Sequence, residues 1–238
     1  MAEAGAKAME RVQNRLADAA TTVVLSATDA LIVIDMQYDF LPGGALAVAE
    51  GDAILPGIRA LAARFEHVIL TQDWHPVGHI SFASTHGLRP YEDTIAAPYG
   101  TQVLWPDHCV QGSHGAALHT ELAVPHAELI LRKGFRRGID SYSAFLENDH
   151  TTHTGLASYL RERGLTRLFF CGLAYDFCVG FSAIDGTKLG FECLVVEDLS
   201  RAVALPGSVE ATNAAFADLS IRRIFSDACI ASKQRNGA

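Results

Sequence analysis

Short apolar runs alternate with helical stretches along this chain, and this alternation constrains the fold more than any other feature. Ala30 to Asp35 and His67 to Thr71 are strand-like runs, whereas Ala53 to Phe65, with Pro56 near its start, has helical periodicity. Strands this apolar are typically covered on both faces by helices. The order therefore predicts an α/β fold, a three-layer α/β/α sandwich with a mainly parallel, doubly wound sheet.

The alternation continues to the end of the chain. The predicted strands are Glu128 to Arg132, Leu168 to Leu173, Glu192 to Val196 and Arg222 to Phe225; the predicted helices are Thr154 to Arg163, one between Leu173 and Glu192, and Val209 to Leu219. The 238 residues are 49% hydrophobic and contain no linker-like or repetitive segment. We expect a single domain over residues 29–238.

Residues 1–28 are interpreted as an N-terminal extension. Met9, Val12 and Leu16 have helical spacing, so the extension forms either a short amphipathic helix or a mobile segment. It lacks the uninterrupted apolar stretch of a signal peptide, and no run in the chain reaches the roughly 18 apolar residues of a membrane span. The sequence assigns no chemistry to this segment.

Charge and cysteine usage narrow the class of partner and the cellular setting. The formal net charge is −8, and no basic cluster is longer than Arg136-Arg137 or Arg222-Arg223, so a nucleic-acid partner is not expected. The five cysteines show no CxxC spacing, which indicates a reduced, cytoplasmic setting. We expect a small-molecule substrate and no membrane partner; the sequence leaves open whether the chain forms a homo-oligomer.

Chemically competent side chains follow the predicted strands directly. In open parallel sheets, sites form at the carboxyl ends of the strands. The side chains that stand there are Asp35, Asp73, His75, Lys133 and, shortly after the fourth strand, Cys178. The irregular stretch from Gln72 to Ala127 is expected to contribute to the same site, because long irregular segments within domains are usually functional.

Cys178 lies between an apolar strand and a probable helix, which makes it a candidate nucleophile. Free N–H groups and the helix dipole there favour a thiolate and can hold an oxyanion. The alternative is a buried thiol that packs as a small apolar side chain. Lys133 has two interpretations: beside a thiol it would lower the pKa of that thiol, and otherwise it would be a solvated surface charge. Asp35 is either a catalytic carboxylate or a turn residue.

A second group of side chains suggests a metal. Asp73 and His75 lie on the same side of an extended segment, and His79 and His108 add imidazoles from the irregular stretch. One carboxylate with two or three imidazoles suits zinc or iron(II). The alternative is that these are ordinary polar loop histidines, since the chain has ten.

Five ordered segments together resemble the isochorismatase-like cysteine hydrolases and, within them, the nicotinamidases, also called pyrazinamidases. The resemblance runs from about Ala30 to Phe225. The segments are Ile34-Asp35-Met36-Gln37-Tyr38-Asp39-Phe40, Thr71-Gln72-Asp73-Trp74-His75-Pro76, Trp105-Pro106-Asp107-His108-Cys109-Val110, Arg132-Lys133-Gly134 and Gly172-Leu173-Ala174-Tyr175-Asp176-Phe177-Cys178-Val179.

The resemblance implies a role for each candidate residue. Asp35, Lys133 and Cys178 would form the catalytic triad, and the backbone N–H groups of Ala174 and Cys178 the oxyanion hole. The implied metal ligands are Asp73, His75 and His108, with His79 as a further ligand position whose spacing varies within the family. The implied substrate-binding aromatics are Phe40, Trp105, Tyr142 and Phe177, although each could instead be a core residue. A cis peptide bond is implied between Leu173 and Ala174.

The implied reaction is hydrolysis of nicotinamide to nicotinate and ammonia through a cysteine thioester, with pyrazinamide as a further substrate. One divalent metal ion would bind the ring nitrogen; zinc is expected first, with iron or manganese as alternatives. Two other functions stay open. A related metal-poor amide or carbamoyl-amide hydrolase would keep the triad and use another substrate, and a non-catalytic binding module on this fold would require a broken triad.

Overall fold

A six-stranded parallel sheet forms the centre of the computed structural model, which describes residues 22–230. The strands are β1 Val23–Val24, β2 Asp29–Ile34, β3 His67–Asp73, β4 Thr94–Ala97, β5 Gly100–Val103, β6 Leu129–Lys133, β7 Arg167–Leu173, β8 Glu192–Arg201, β9 Arg222–Ile224 and β10 Cys229–Ile230. The helices are α1 Leu55–Ala62, α2 Ala83–His86, α3 Leu156–Glu162, α4 Gly180–Lys188 and α5 Ser208–Asp218.

The order of strands in the central sheet is β6-β3-β2-β7-β8-β9, and every neighbouring pair is parallel. From β2 the chain winds outward through β3 to β6, then returns to the other side of β2 and winds outward through β8 to β9. The direction of winding thus reverses between β2 and β7. A crevice opens at such a reversal, outside the carboxyl ends of the strands.

The side chains of the sheet are buried on both faces. In β2, Leu31 and Val33 pack in the same cluster as Ile58 of α1, whereas Ile32 packs in a second cluster with Leu160 of α3. The second cluster also contains Ala183 of α4 and Phe216 of α5. The predicted three-layer sandwich with a doubly wound parallel sheet is confirmed.

Several boundaries differ from the sequence prediction. β8 runs through Arg201 rather than ending at Val196, and its pairing with β7 shifts register between Phe170 and Gly172. The stretch from Gln72 to Ala127, predicted without regular structure, contains α2 and the antiparallel hairpin β4–β5. Local sequence does not specify these elements, because the hairpin is short and the extension of β8 depends on its neighbour.

The predicted N-terminal extension is only partly described. Val23 and Val24 pair in parallel with Cys229 and Ile230, so this part of the segment forms a two-stranded sheet with the end of the described chain. The proposed amphipathic helix lies outside the described residues, and the boundary at residue 28 stays a prediction. Within residues 22–230, no helix combines the length and apolar character needed to span a membrane.

Candidate active site

Four predicted residues meet where the carboxyl ends of β2, β3, β6 and β7 open into the crevice. Lys133 Nζ lies 2.8 Å from Oδ2 of Asp35 and 2.5 Å from Oδ1 of Asp73. It also donates to Sγ of Cys178 at 3.3 Å and to the carbonyl of Ser141 at 3.0 Å. All four predicted side chains are buried. The lysine is therefore a buried cation that joins two carboxylates and the thiol, and its alternative interpretation as a surface charge is wrong.

The backbone after β7 positions Cys178. The Leu173–Ala174 peptide bond is cis, as the resemblance implied, and Tyr175–Val179 forms a single π-helical turn that leads into α4. The carbonyl of Ala174 accepts hydrogen bonds from the N–H groups of Phe177 and Val179, at 3.1 and 3.0 Å. Phe177 and Val179 flank Cys178 in the chain. The turn thus places the thiol in the wall of the crevice.

Burial and charge act in opposite directions on the pKa values of this group. Burial disfavours the ammonium form of Lys133, yet the charges of Asp35 and Asp73 outweigh it and raise the lysine pKa well above its usual value. For Asp73, burial is opposed by Lys133 and His75, and the pKa falls well below normal. Burial is the largest effect at Asp35, whose pKa is raised despite Lys133. The pKa of Asp73 is therefore lowered beside Lys133, whereas burial keeps the pKa of Asp35 raised.

The thiol does not follow the prediction of a stabilised thiolate. Burial raises the pKa of Cys178 well above its usual value, and Asp35 and Asp73 raise it further. Lys133 lowers it, but by less than the desolvation raises it. The sequence argument considered the helix terminus and the lysine and omitted the loss of water. Burial therefore favours the neutral form of Cys178, which lies beside the Asp35 carboxylate.

Three of the predicted metal donors converge. One ligand atom from each of Asp73, His75 and His108 lies within 4.8 Å of the other two. Oδ2 of Asp73 is 3.5 Å from Nε2 of His75 and 3.8 Å from Nε2 of His108. The Nδ1 atoms of the two histidines lie 2.8 Å from the carbonyl oxygens of Gly134 and Pro106, which orients each Nε2 toward the aspartate.

The donor chemistry of this trio fits a divalent metal. Nε2 of His75 is buried and has no hydrogen-bond partner within residues 22–230. An unpartnered buried nitrogen is costly unless a ligand satisfies it. One carboxylate with two imidazoles, each held through its other ring nitrogen, is a donor set that zinc and iron accept. The three residues therefore form a possible metal-binding site.

His79 lies next to this trio in a different set of contacts. Its ring stacks on His75 with centroids 4.2 Å apart. Its Nδ1 is 2.7 Å from Oγ of Ser81 and its Nε2 is 3.2 Å from the carbonyl of Ile139. Burial and, to a smaller extent, the neighbouring His75 lower its pKa to about 4. Ligation by His79 would require one of these hydrogen bonds to break, and its role as a ligand stays a prediction.

An aromatic pocket, partly open to solvent, lies next to the thiol. The four aromatic residues predicted for substrate binding line it together with Ala174 and Cys178; these four are Phe40, Trp105, Tyr142 and Phe177. The rings of Trp105 and Phe177 meet edge to face at 4.9 Å, and Trp105 Nε1 donates to the Tyr142 hydroxyl at 3.1 Å. The pocket is therefore an aromatic slot with the nucleophile candidate in its wall.

The sequence analysis missed other residues of the site. Asp140 lines the pocket from the loop after β6, and its carboxylate accepts hydrogen bonds from Gln102 and from the N–H of Ser141. Gln37 lies inside a segment already singled out, yet it received no role. Its amide accepts from the N–H of Asp73 and donates to the carbonyl of the same residue, both at 2.8 Å. The position of this glutamine three residues after β2, inside a segment already singled out, was the available signal for Gln37; no pattern distinguishes Asp140.

Comparison with known proteins identifies the family. The model of the isochorismatase domain matches residues 29–232. The nicotinamidase of Acinetobacter baylyi is 54% identical over 182 residues, which cover 76% of this chain and 85% of that protein. The chain belongs to the isochorismatase family. Within the isochorismatase family it lies in the nicotinamidase branch, and the enzyme class that the five segments indicated is confirmed.

Solved structures of isochorismatase-family nicotinamidases share the fold. A nicotinamidase and pyrazinamidase of Acinetobacter baumanii is 51% identical with a TM-score of 0.83, covering 85% of this chain and 98% of that one. PnC1 of L. infantum, solved in complex with nicotinate, is 43% identical with a TM-score of 0.78, covering 89% and 100% of the two chains. A pyrazinamidase of Pyrococcus horikoshii, solved in complex with zinc, is 32% identical with a TM-score of 0.68, covering 83% and 99%.

Proposed function

We propose that this protein hydrolyses nicotinamide to nicotinate and ammonia through a thioester on Cys178, and that it also accepts pyrazinamide. The observation that carries the proposal is the buried contact of Lys133 with both the Asp35 carboxylate and the Cys178 thiol, in the wall of an aromatic pocket. This arrangement combines a nucleophile, a base and a fixed positive charge. The nicotinamidase relatives support the choice of amide.

The first step is attack of Sγ of Cys178 on the carboxamide carbon. The proton of the thiol passes to Asp35 as the S–C bond forms. The C=O π bond becomes an oxyanion lone pair in the tetrahedral intermediate. The backbone N–H groups of Ala174 and Cys178 would donate to this oxyanion. Lys133 stays protonated and offsets the negative charge, which the step moves from the Asp35 carboxylate to the substrate oxygen.

The second half of the reaction returns the proton and releases both products. The intermediate collapses, the C–N bond breaks, and Asp35 gives its proton to the departing nitrogen, which leaves as ammonia. Water then attacks the thioester while Asp35 accepts a proton from it. When the second tetrahedral intermediate collapses, the C–S bond breaks and Asp35 returns that proton to the sulfur. The product leaves as nicotinic acid, which loses its remaining proton to solvent to give nicotinate. Asp35 is thus base and then acid in each half of the reaction.

The aromatic pocket and the possible metal site would hold the ring. Phe40, Trp105, Tyr142 and Phe177 offer apolar surface to a flat heterocycle. Asp73, His75 and His108 would hold a divalent metal ion, with His79 as a further candidate ligand. When bound, the ion supplies a Lewis acid for the pyridine nitrogen and so fixes the orientation of the ring. We propose zinc, as in the Pyrococcus horikoshii structure, with iron and manganese as the alternatives to test.

The setting proposed for this reaction is the reduced cytoplasm. All five cysteines are free and buried, as expected for a protein that depends on a thiol nucleophile. The absence of a nucleic-acid or membrane partner, and the formation of a homo-oligomer, stay predictions. So does the division into an extension over residues 1–28 and an isochorismatase-like hydrolase domain over residues 29–238.

The direct test is ammonia release by the purified, metal-loaded protein. Nicotinamide, pyrazinamide, benzamide and a carbamoyl amide would be supplied separately, and ammonia and the acid product would be measured together. We expect equal amounts of ammonia and nicotinate from nicotinamide, and little product from the carbamoyl amide. Turnover of the carbamoyl amide alone would favour the alternative of a related amide hydrolase, and no turnover of any amide would favour a binding module.

A further inference from the structure

The hydroxyl of Thr71 contacts Asp35 at two points. Oγ1 of Thr71 donates to Oδ1 of Asp35 at 2.6 Å and accepts from the backbone N–H of Asp35 at 3.1 Å. Both residues are fully buried. A threonine hydroxyl has one proton, so while it accepts from the N–H that proton is directed at the carboxylate. One side chain of β3 thus holds the backbone and the carboxylate of the residue that follows β2.

The backbone of Asp35 needs this support. Its φ is +48°, in the left-handed region that residues with a Cβ seldom adopt. Such a conformation persists when the surroundings over-determine it. The bond from the Asp35 N–H to Thr71 and the bond from the Gln37 N–H to the Asp35 carbonyl, at 2.8 Å, both hold it. The direction in which the carboxylate leaves the chain therefore depends on Thr71.

The hydrogen bond from Thr71 also makes the surroundings of the two Asp35 carboxylate oxygens different. Oδ1 is held by the Thr71 hydroxyl, whereas Oδ2 lies 2.8 Å from Nζ of Lys133 and has no further hydrogen-bond partner within residues 22–230. One ligand atom from each of Asp35, Asp73 and Cys178 lies within 4.8 Å of the other two. Oδ2 is therefore the oxygen left to accept the proton of the thiol.

We propose that Thr71 is a positioning residue that reserves Oδ2 of Asp35 for proton transfer with Cys178. This inference rests on the proposed function, in which Asp35 is the base. The Thr71 hydroxyl bonds to Asp35, and within residues 22–230 Thr71 is not part of the pocket lining, so we expect it to act through Asp35. Loss of its hydroxyl frees the carboxylate to rotate about its Cβ–Cγ bond, and a base whose oxygen is displaced by a fraction of an ångström loses much of its effect.

The test compares Thr71→Val, which keeps the shape and removes the hydroxyl, with Thr71→Ser, which keeps the hydroxyl. Thr187→Val is the matched control, since its hydroxyl donates to the carbonyl of Ala183 within α4 and also contacts Cys193, and neither residue belongs to the site. In the metal-loaded enzyme, we expect Thr71→Val to lower kcat on nicotinamide about 10- to 100-fold with KM within about twofold of the parent. Thr71→Ser and Thr187→Val should keep kcat within about threefold.

A second readout does not depend on the substrate. Cys178 would be alkylated with iodoacetamide, and the rate would be followed by mass spectrometry of the peptide that contains it. Alkylation requires loss of the same thiol proton. The rate should therefore fall in Thr71→Val but not in Thr71→Ser. If the parent enzyme released no ammonia, the proposed function would fail, and this rate would still decide the role of Thr71. If thermal denaturation showed that Thr71→Val is not folded, Thr71→Ala would be used in its place and compared with the same serine variant.

Three results would overturn the inference. The first is a Thr71→Val enzyme with the kcat and alkylation rate of the parent. The second is equal loss in the valine and serine variants, which would assign the effect to packing rather than to the hydroxyl. The third is a loss of bound metal in Thr71→Val, measured by elemental analysis, because the effect would then pass through Asp73 and not through Asp35.

Discussion

Lys133 contacts three other candidate side chains of the site. Its ammonium is fully buried and lies between the carboxylates of Asp35 and Asp73, with the Cys178 thiol within hydrogen-bond distance. A lysine at the end of a strand is ordinarily a surface charge, and the sequence alone left that alternative open. Burial of the lysine follows from the meeting of four strand ends, which no local pattern records.

Replacement of this lysine should affect both activity and stability. In Lys133→Met, two buried carboxylates lose their shared cation, so we expect the free energy of unfolding to fall by about 3–5 kcal/mol. Ammonia release should be lost as well, because the fixed positive charge is gone. Lys188→Met, at an exposed position near the end of α4, is the control and should change the free energy of unfolding by less than about 0.5 kcal/mol. Urea denaturation at pH 7 measures the free energy of unfolding of both variants, and an ammonia assay measures their activity.

A Lys133→Met protein as stable as the parent would contradict the interpretation of a paired buried cation. It would mean that Asp35 and Asp73 are neutral in the folded protein, against the pKa direction inferred for Asp73. Retained ammonia release with lowered stability would instead limit the role of the lysine to folding.

At the level of elements, the site depends on how closely β2 and β7 approach at the reversal of the sheet. Gly172 pairs with Ile34 in the ladder and has a φ of +112°. A Cβ at this position would lie 2.2 Å from the carbonyl oxygen of Ile34. The glycine thus lets the two strands meet just before the residues that carry the candidate base and nucleophile.

Gly172→Ala should therefore lower the free energy of unfolding by more than backbone strain alone would. We expect a loss of at least about 2 kcal/mol in the free energy of unfolding, because the two strands must separate. Gly164→Ala is the matched control: its φ is +70° and nothing lies within 4 Å of an added Cβ. It should lose about 1 kcal/mol, the strain of the left-handed backbone. Equal losses in the two variants would show that strand contact at Gly172 is unimportant.

Sequence reasoning reached different depths for the elements and for the site. The strands and the doubly wound class of the sheet could be predicted, because buried parallel strands are nearly continuous apolar runs, as in Ala30 to Asp35. The residues at the strand ends followed from that topology. The raised pKa of Cys178, the hydrogen bonds of His79 and the contribution of Asp140 could not be predicted, because they depend on burial and on loops brought together only in the folded chain.

At the scale of the whole molecule, the possible metal site couples chemistry to folding. Asp73 comes from β3, and His75 and His108 come from segments that join only when the irregular stretch packs on the sheet. A metal bound by all three would favour the folded state, since the unfolded chain does not hold these donors together. The expected ion is therefore both a substrate-orienting group and a stabilising one.

Metal removal tests this coupling. We expect chelator treatment followed by gel filtration to lower ammonia release at least about 10-fold and to lower the midpoint of thermal unfolding. Zinc, iron(II) and manganese would be returned separately to identify the ion that restores both. His108→Ala should reduce the bound metal, whereas His126→Ala, whose ring bonds to the carbonyl of Ala62, should not. Full activity in the metal-free protein would contradict the assigned role.

The most direct test of the central claim is mass spectrometry of the enzyme quenched in acid during turnover of nicotinamide. The account predicts a nicotinoyl group on the peptide that contains Cys178, formed in the parent enzyme and absent from Cys178→Ala, which should release no ammonia. Steady ammonia release by Cys178→Ala, or an acyl group on any other residue, would contradict the assignment of the nucleophile.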